Sequence, residues 1–139
     1  MSLSESTRVQ AREIISRYPQ ARSALLPMLH LVQSEEGYVS GDGIALCADE
    51  LSLTTAEVAA VATFYTMYFK KPMGKLHVQV CTNVSCMLRG GEEIYHQLCE
   101  KYGIGHNERT EDGKISLEEV ECMGACGGAP MIAINEDFH

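Results

Sequence analysis

Apolar residues recur every three or four positions through the first seventy residues, which is the period of one face of an α-helix. Pro27 interrupts the second of these stripes, so its helix starts near Leu26 or is kinked there. Thr54 and Glu57 have the spacing of a capping box at a helix start. The pattern predicts four helices, at Glu5–Tyr18, about Ala21–Glu36, Gly41–Leu51 and Thr54–Tyr68. Because none can bury its apolar face alone, we expect them to pack together or against another surface.

The spacing of apolar residues changes beyond this helical region. Leu76, Val78 and Val80 alternate with other residues, which is the two-residue period of a strand. Farther along, the sequence predicts a helix, a turn and two strands, at about Leu88–Tyr102, Asp112-Gly113, Lys114–Glu121 and Met131–Ile134. We therefore expect an α+β protein, with an N-terminal helical bundle over residues 1–72 and a second domain over residues 73–139.

The six cysteines are unevenly distributed along the chain. Four fall in two close pairs, Cys81-x4-Cys86 and Cys122-x3-Cys126. Each pair begins where a predicted strand ends, so the four sulfurs converge at one edge if the two strands are neighbours in a sheet. Cys47 and Cys99 lie on the apolar stripes of predicted helices, where a buried thiol is the favoured interpretation.

Several kinds of site could use the four paired cysteines. A [2Fe-2S] cluster needs four thiolates, two for each iron, and small residues around the second pair let backbone N–H groups approach the sulfurs. Zinc also binds four cysteines, but zinc sites usually separate each pair by two residues. A thiol–disulfide oxidoreductase would have Cys-x-x-Cys after its strand. The spacing favours the cluster; a zinc-stabilised interaction module, a dithiol redox protein and four unligated thiols remain alternatives.

Charge and composition narrow the range of functions. The net charge of -8 argues against nucleic-acid binding, and the longest apolar runs are too short to span a membrane. The first residues lack the basic start and apolar stretch of a secretory signal, so we expect a cytoplasmic protein. That compartment keeps thiols reduced, which favours metal binding or redox chemistry over structural disulfides. The sequence has no P-loop or nucleotide-binding fingerprint, so we expect no NADH or flavin site in this chain.

The cysteine spacing, the Met-Gly-Ala sequence before Cys126 and the Ala129-Pro130 step together resemble the thioredoxin-like [2Fe-2S] ferredoxins. The segment 58–67, which contains Ala-Thr-Phe-Tyr, is similar to the E-subunit branch of NADH-quinone oxidoreductase (respiratory complex I). The resemblance extends over nearly the whole chain. Family members continue past the segment 134–137 into a further helix, a departure that concerns C-terminal packing and not the cysteines.

The resemblance implies an N-terminal helical bundle joined to a thioredoxin-like domain, with the cluster bound by Cys81, Cys86, Cys122 and Cys126. It implies one-electron exchange with the FMN of a partner subunit that binds FMN and NADH, so that enzymatic activity belongs to the assembly and this chain is an electron carrier. It also implies a peripheral position at the inner membrane, without membrane insertion. Relatives in soluble NAD-dependent formate dehydrogenases and hydrogenases supply an alternative assembly for the same role.

Overall fold

The computed structural model of the protein describes residues 3–139, which divide into two units, one up to Pro72 and one from Met73. Its helices and strands agree with the predicted α+β class. No helix within the described residues is long and apolar enough to cross a lipid bilayer.

Four helices build the N-terminal unit: α1 (Glu5–Ser16), α2 (Leu25–Glu36), α3 (Gly41–Leu51) and α4 (Thr55–Phe64). Ser4, Ser40 and Thr54 cap the N-termini of α1, α3 and α4, each accepting a hydrogen bond from a backbone N–H of the first turn. The apolar faces of the helices meet in one core. Its fully buried side chains include Met28, Leu29, Val32, Cys47 and Val58.

Two helix boundaries differ from the prediction. The segment Ala21–Ala24 forms a 3-10 turn, so α2 begins at Leu25, and Pro27 lies in its first turn, where its missing N–H has no partner to lose. The predicted helix Thr54–Tyr68 is too long, because the backbone of Tyr65 turns extended (φ -86°, ψ 117°) and α4 ends at Phe64.

The C-terminal unit contains a five-stranded sheet and two helices. Its elements are β1 (Leu76–Cys81), α5 (Val84–Leu88), α6 (Gly91–Tyr102), β2 (Glu108–Arg109), β3 (Ile115–Val120), β4 (Ile132–Ile134) and β5 (Asp137–Phe138). The strand order is β2-β3-β1-β4-β5, in which β1 and β3 run parallel and every other neighbouring pair is antiparallel. The helix predicted from about Leu88 therefore begins at Gly91, and the short helix α5 before it was not predicted.

The two faces of the central strands differ in chemistry. On one face Val78, Val80 and Leu117 form an apolar core with residues of α6. On the other face His77 and Glu118 are buried with their ring nitrogen and carboxylate oxygen 2.9 Å apart. The second ring nitrogen of His77 lies 2.8 Å from the hydroxyl of Ser116, so the buried polar groups of this face are hydrogen-bonded to one another.

Candidate metal centre

The parallel pairing of β1 and β3 places the two cysteine pairs at the same edge of the sheet. Cys81, the last residue of β1, is the register partner of Val120, the last residue of β3. Beyond the strand ends, the N–H of Thr82 donates to the carbonyl of Val120 (3.0 Å), and that of Asn83 donates to Glu121 (3.1 Å). The chain thus leaves both strands side by side, and Cys122 follows two residues after β3.

The short helix α5 carries the second cysteine of the first pair. Asn83 begins it, since its side-chain oxygen accepts a hydrogen bond from the N–H of Val84 (2.7 Å). Within α5 Cys86 is 3% exposed, as is Cys81. After α5 the chain passes close beneath these cysteines: a Cβ atom on Gly91 would lie 2.5 Å from the carbonyl oxygen of Cys81.

The second pair lies on a more open loop. Gly124 adopts a left-handed conformation (φ 73°), which favours glycine, and its N–H donates to the sulfur of Cys122 (3.3 Å). Cys126 begins a 3-10 turn that ends at Gly128. The sulfurs of Cys122 and Cys126 are 3.9 Å apart, and both side chains are exposed.

All four paired cysteines line one open cavity of about 130 Å³. The remaining wall comes from Asn83, Val84 and Ser85, which connect β1 to α5. Among residues 3–139, no three His, Cys, Asp or Glu side chains already surround a single point closely enough to hold one metal ion. The structure therefore brings the predicted residues together around a shared space, with one pair buried and the other facing solvent.

Burial raises the pKa of the Cys81 thiol, and the neighbouring Cys86 thiol acts in the same direction. The backbone N–H groups of Asn83 and Met123 hydrogen-bond to the Cys81 sulfur and act in the opposite direction. The protonated thiol donates to the carbonyl of Glu121 (2.9 Å). A metal cation that replaced this proton would find two N–H donors already directed at the thiolate.

Residues 11–139 match the family described as thioredoxin-like [2Fe-2S] ferredoxin. The chain belongs to this family. It is 52% identical over 130 residues to the E subunit of NADH-quinone oxidoreductase from Mycobacterium bovis, an alignment that covers 94% of this chain and 52% of the relative. It is 45% identical over 132 residues to the corresponding protein of Rickettsia bellii, covering 93% of this chain and 79% of the relative.

A solved structure extends the comparison. The NAD+-reducing [NiFe]-hydrogenase in its H2-reduced state matches with a TM-score of 0.70 and 27% identity, covering 80% of this chain and 18% of the hydrogenase chain. The present chain spans about half the length of the mycobacterial relatives that it matches. These matches confirm the resemblance that the cysteine motifs and the Ala-Thr-Phe-Tyr segment indicated.

The residues of this ferredoxin-family chain fit the cluster that its family implies. Two sulfurs on one tetrahedral metal, each bonded at about 2.3 Å, are roughly 3.8 Å apart, and the Cys122–Cys126 spacing is 3.9 Å. The sulfurs of Cys81 and Cys86 lie on the same cavity and can serve the second iron. The spacing alone would suit zinc equally, so family membership is what favours iron.

The remaining cysteines and histidines of the chain have structural surroundings. Cys47 is buried in the helical core, which raises its pKa to about 12, and Cys99 lies half-buried on α6 beside Tyr95. His77 is hydrogen-bonded within the sheet, and a ring nitrogen of His106 accepts from the N–H of Glu119 (3.0 Å). None of these side chains lines the cavity of the paired cysteines.

Two residues beside the cavity were not found from the sequence. Gly91 matters through the space it leaves for the backbone of Cys81, and Arg89 donates from its guanidinium Nε to the carbonyl of Ala129 (2.7 Å). Both act on backbone atoms of distant segments. No spacing rule along the chain reports such a contact.

Proposed function

We propose that the chain is a one-electron carrier that binds a [2Fe-2S] cluster through Cys81, Cys86, Cys122 and Cys126. The observation that carries the proposal is the gathering of these four thiols on one cavity at the sheet edge, in a chain of this family. The bound cluster would supply reversible uptake of a single electron. The protein would supply the four thiolates and the N–H donors that stabilise their negative charge.

The asymmetry of the site suits electron exchange with a partner. Cys81 and Cys86 are buried, whereas Cys122 and Cys126 are exposed. An electron would therefore enter or leave on the side of the second pair. Next to the cavity α5 also exposes the apolar side chains of Val84 (61%), Met87 (40%) and Leu88 (78%), a composition more typical of the core of a protein interface than of free surface.

The relatives indicate the kind of assembly. Because matched proteins are named as subunits of NADH-quinone oxidoreductase, we propose that this chain works beside a subunit that binds FMN and NADH. A hydride brings two electrons and the cluster accepts one, so the partner's flavin would divide the pair. In such an assembly the chain would be peripheral to the membrane.

An NAD-linked hydrogenase is the second candidate assembly. The likeness to the NAD+-reducing [NiFe]-hydrogenase favours it, since the same fold occurs there within a longer chain. The role of this chain would be unchanged: electron transfer between a flavin and a cysteine-bound cluster.

A reductive titration tests the proposal. The anaerobically purified chain should take up one electron per molecule from dithionite, with loss of visible absorption and appearance of one unpaired spin per chain. NADH alone should leave the absorption unchanged, whereas NADH with the flavin-binding subunit should bleach it. Uptake of two electrons without a paramagnetic species would indicate dithiol chemistry and contradict the proposal.

A further inference from the structure

The two cysteine pairs of the proposed centre lie on segments that are weak by themselves. Cys86 is on α5, a helix of five residues, and Cys126 begins a 3-10 turn of three residues. Helices this short are unstable in isolation because nucleation is costly. Contacts between the two segments must therefore hold their sulfurs at a fixed spacing.

One side chain connects these segments. The backbone N–H of Arg89 donates to the carbonyl of Cys86 (3.1 Å), and its Nε donates to the carbonyl of Ala129 (2.7 Å). In turn the N–H of Ala129 donates to the carbonyl of Cys126 (3.2 Å). Arg89 is thus hydrogen-bonded to one cysteine directly and is two bonds from another that lies forty residues away in sequence.

The receiving end of this connection is firmly packed. Ala129 is buried and contacts the cluster of side chains that contains Cys81 and Cys86. A hydrogen bond from a charged guanidinium is about twice as strong as one between neutral groups. The bond to Ala129 therefore constrains the wall of the cavity as well as the turn that bears Cys126.

Arg89 also brings a positive charge to the centre. It is the basic residue nearest in sequence to any of the four cysteines, and the residues that precede Cys122 include the acidic Glu119 and Glu121. Reduction adds one negative charge, which a nearby cation stabilises. Loss of that cation disfavours the reduced state.

We propose that Arg89 is a positioning residue of the metal centre, which ties the helix of Cys86 to the turn of Cys126 and stabilises the reduced form. This inference rests on the proposed function, since it concerns the bound cluster. The lysine variant separates the two effects, because lysine keeps the charge but lacks the planar guanidinium donor.

The test compares Arg89→Met, Arg89→Lys and Arg109→Met in the full chain, loaded with iron and sulfide. Arg109 is an exposed arginine on β2, paired with Ser116 and so distant from the strand end that leads to Cys122. Its replacement changes the net charge by the same amount as Arg89→Met. The measurements are the reduction potential and the rate at which a chelator removes iron.

Arg89→Met should lower the potential and release iron about tenfold faster, as loss of a charged hydrogen bond of moderate strength would allow. Arg89→Lys should keep the parent potential but lose iron faster, and Arg109→Met should match the parent in both measurements. The inference is overturned if Arg89→Met and Arg109→Met behave alike. A parent chain that binds no iron would overturn the proposed function and this inference with it.

Discussion

The variant Cys86→Ala is expected to lose nearly all visible absorption and bound iron when it is purified anaerobically. Cys86 is one of four thiols on the cavity and one of the two buried ones, so its removal leaves one iron with a single cysteine ligand. No carboxylate or imidazole lines the cavity to replace it. The ratio of visible to ultraviolet absorbance and the iron content per chain measure the effect.

The matched control for this variant is Cys99→Ala. Cys99 belongs to the same C-terminal unit but lies on α6, away from the cavity, so its replacement should leave colour and iron content at the parent level. The assignment of ligands would be wrong if Cys86→Ala retained the parent spectrum. It would also be wrong if Cys99→Ala lost the colour while remaining folded by circular dichroism.

The variant Gly91→Ala is expected to destabilise the C-terminal unit and disturb the cysteine site together. The new Cβ would lie 2.5 Å from the carbonyl oxygen of Cys81 and 3.0 Å from that of Cys86, both backbone atoms that cannot rotate away. Overpacking of this kind costs about 2 kcal/mol of unfolding free energy. Urea denaturation of the reduced apoprotein and the iron content of the loaded protein should both decrease relative to the parent.

The variant Gly127→Ala is the control for the glycine prediction. Gly127 follows Cys126 directly, yet a Cβ at this position would meet no atom within 4 Å. The same substitution beside another cysteine should therefore leave the unfolding midpoint near that of the parent. Equal midpoints for Gly91→Ala and the parent would show that the close approach of α6 to Cys81 is not a constraint.

The sequence predicted those features whose determinants lie close together in the chain. The capping box of Thr54 and Glu57 is formed as expected, with reciprocal hydrogen bonds between side chain and backbone. The alternation in Leu76–Cys81 marked β1, and the position of Cys81 at its end predicted that thiols would emerge at a sheet edge. Parallel pairing of β1 with β3 then brings the second pair to the same edge.

Features with distant or very short determinants could not be predicted. The helix α5 has five residues, fewer than two turns, so its apolar residues show no helical period. The roles of Arg89 and Gly91 depend on the carbonyls of Ala129 and Cys81, whose positions only the folded chain defines. The early end of α4 follows from the extended backbone of Tyr65, which the continuing apolar pattern concealed.

The most direct measurement is the content of iron, acid-labile sulfide and zinc in the full chain purified without oxygen. If the four cysteines hold one binuclear centre, each chain should contain about two irons and two sulfides, with negligible zinc. One zinc per chain without sulfide would contradict the account, because the same thiols would then form a structural site and transfer no electron.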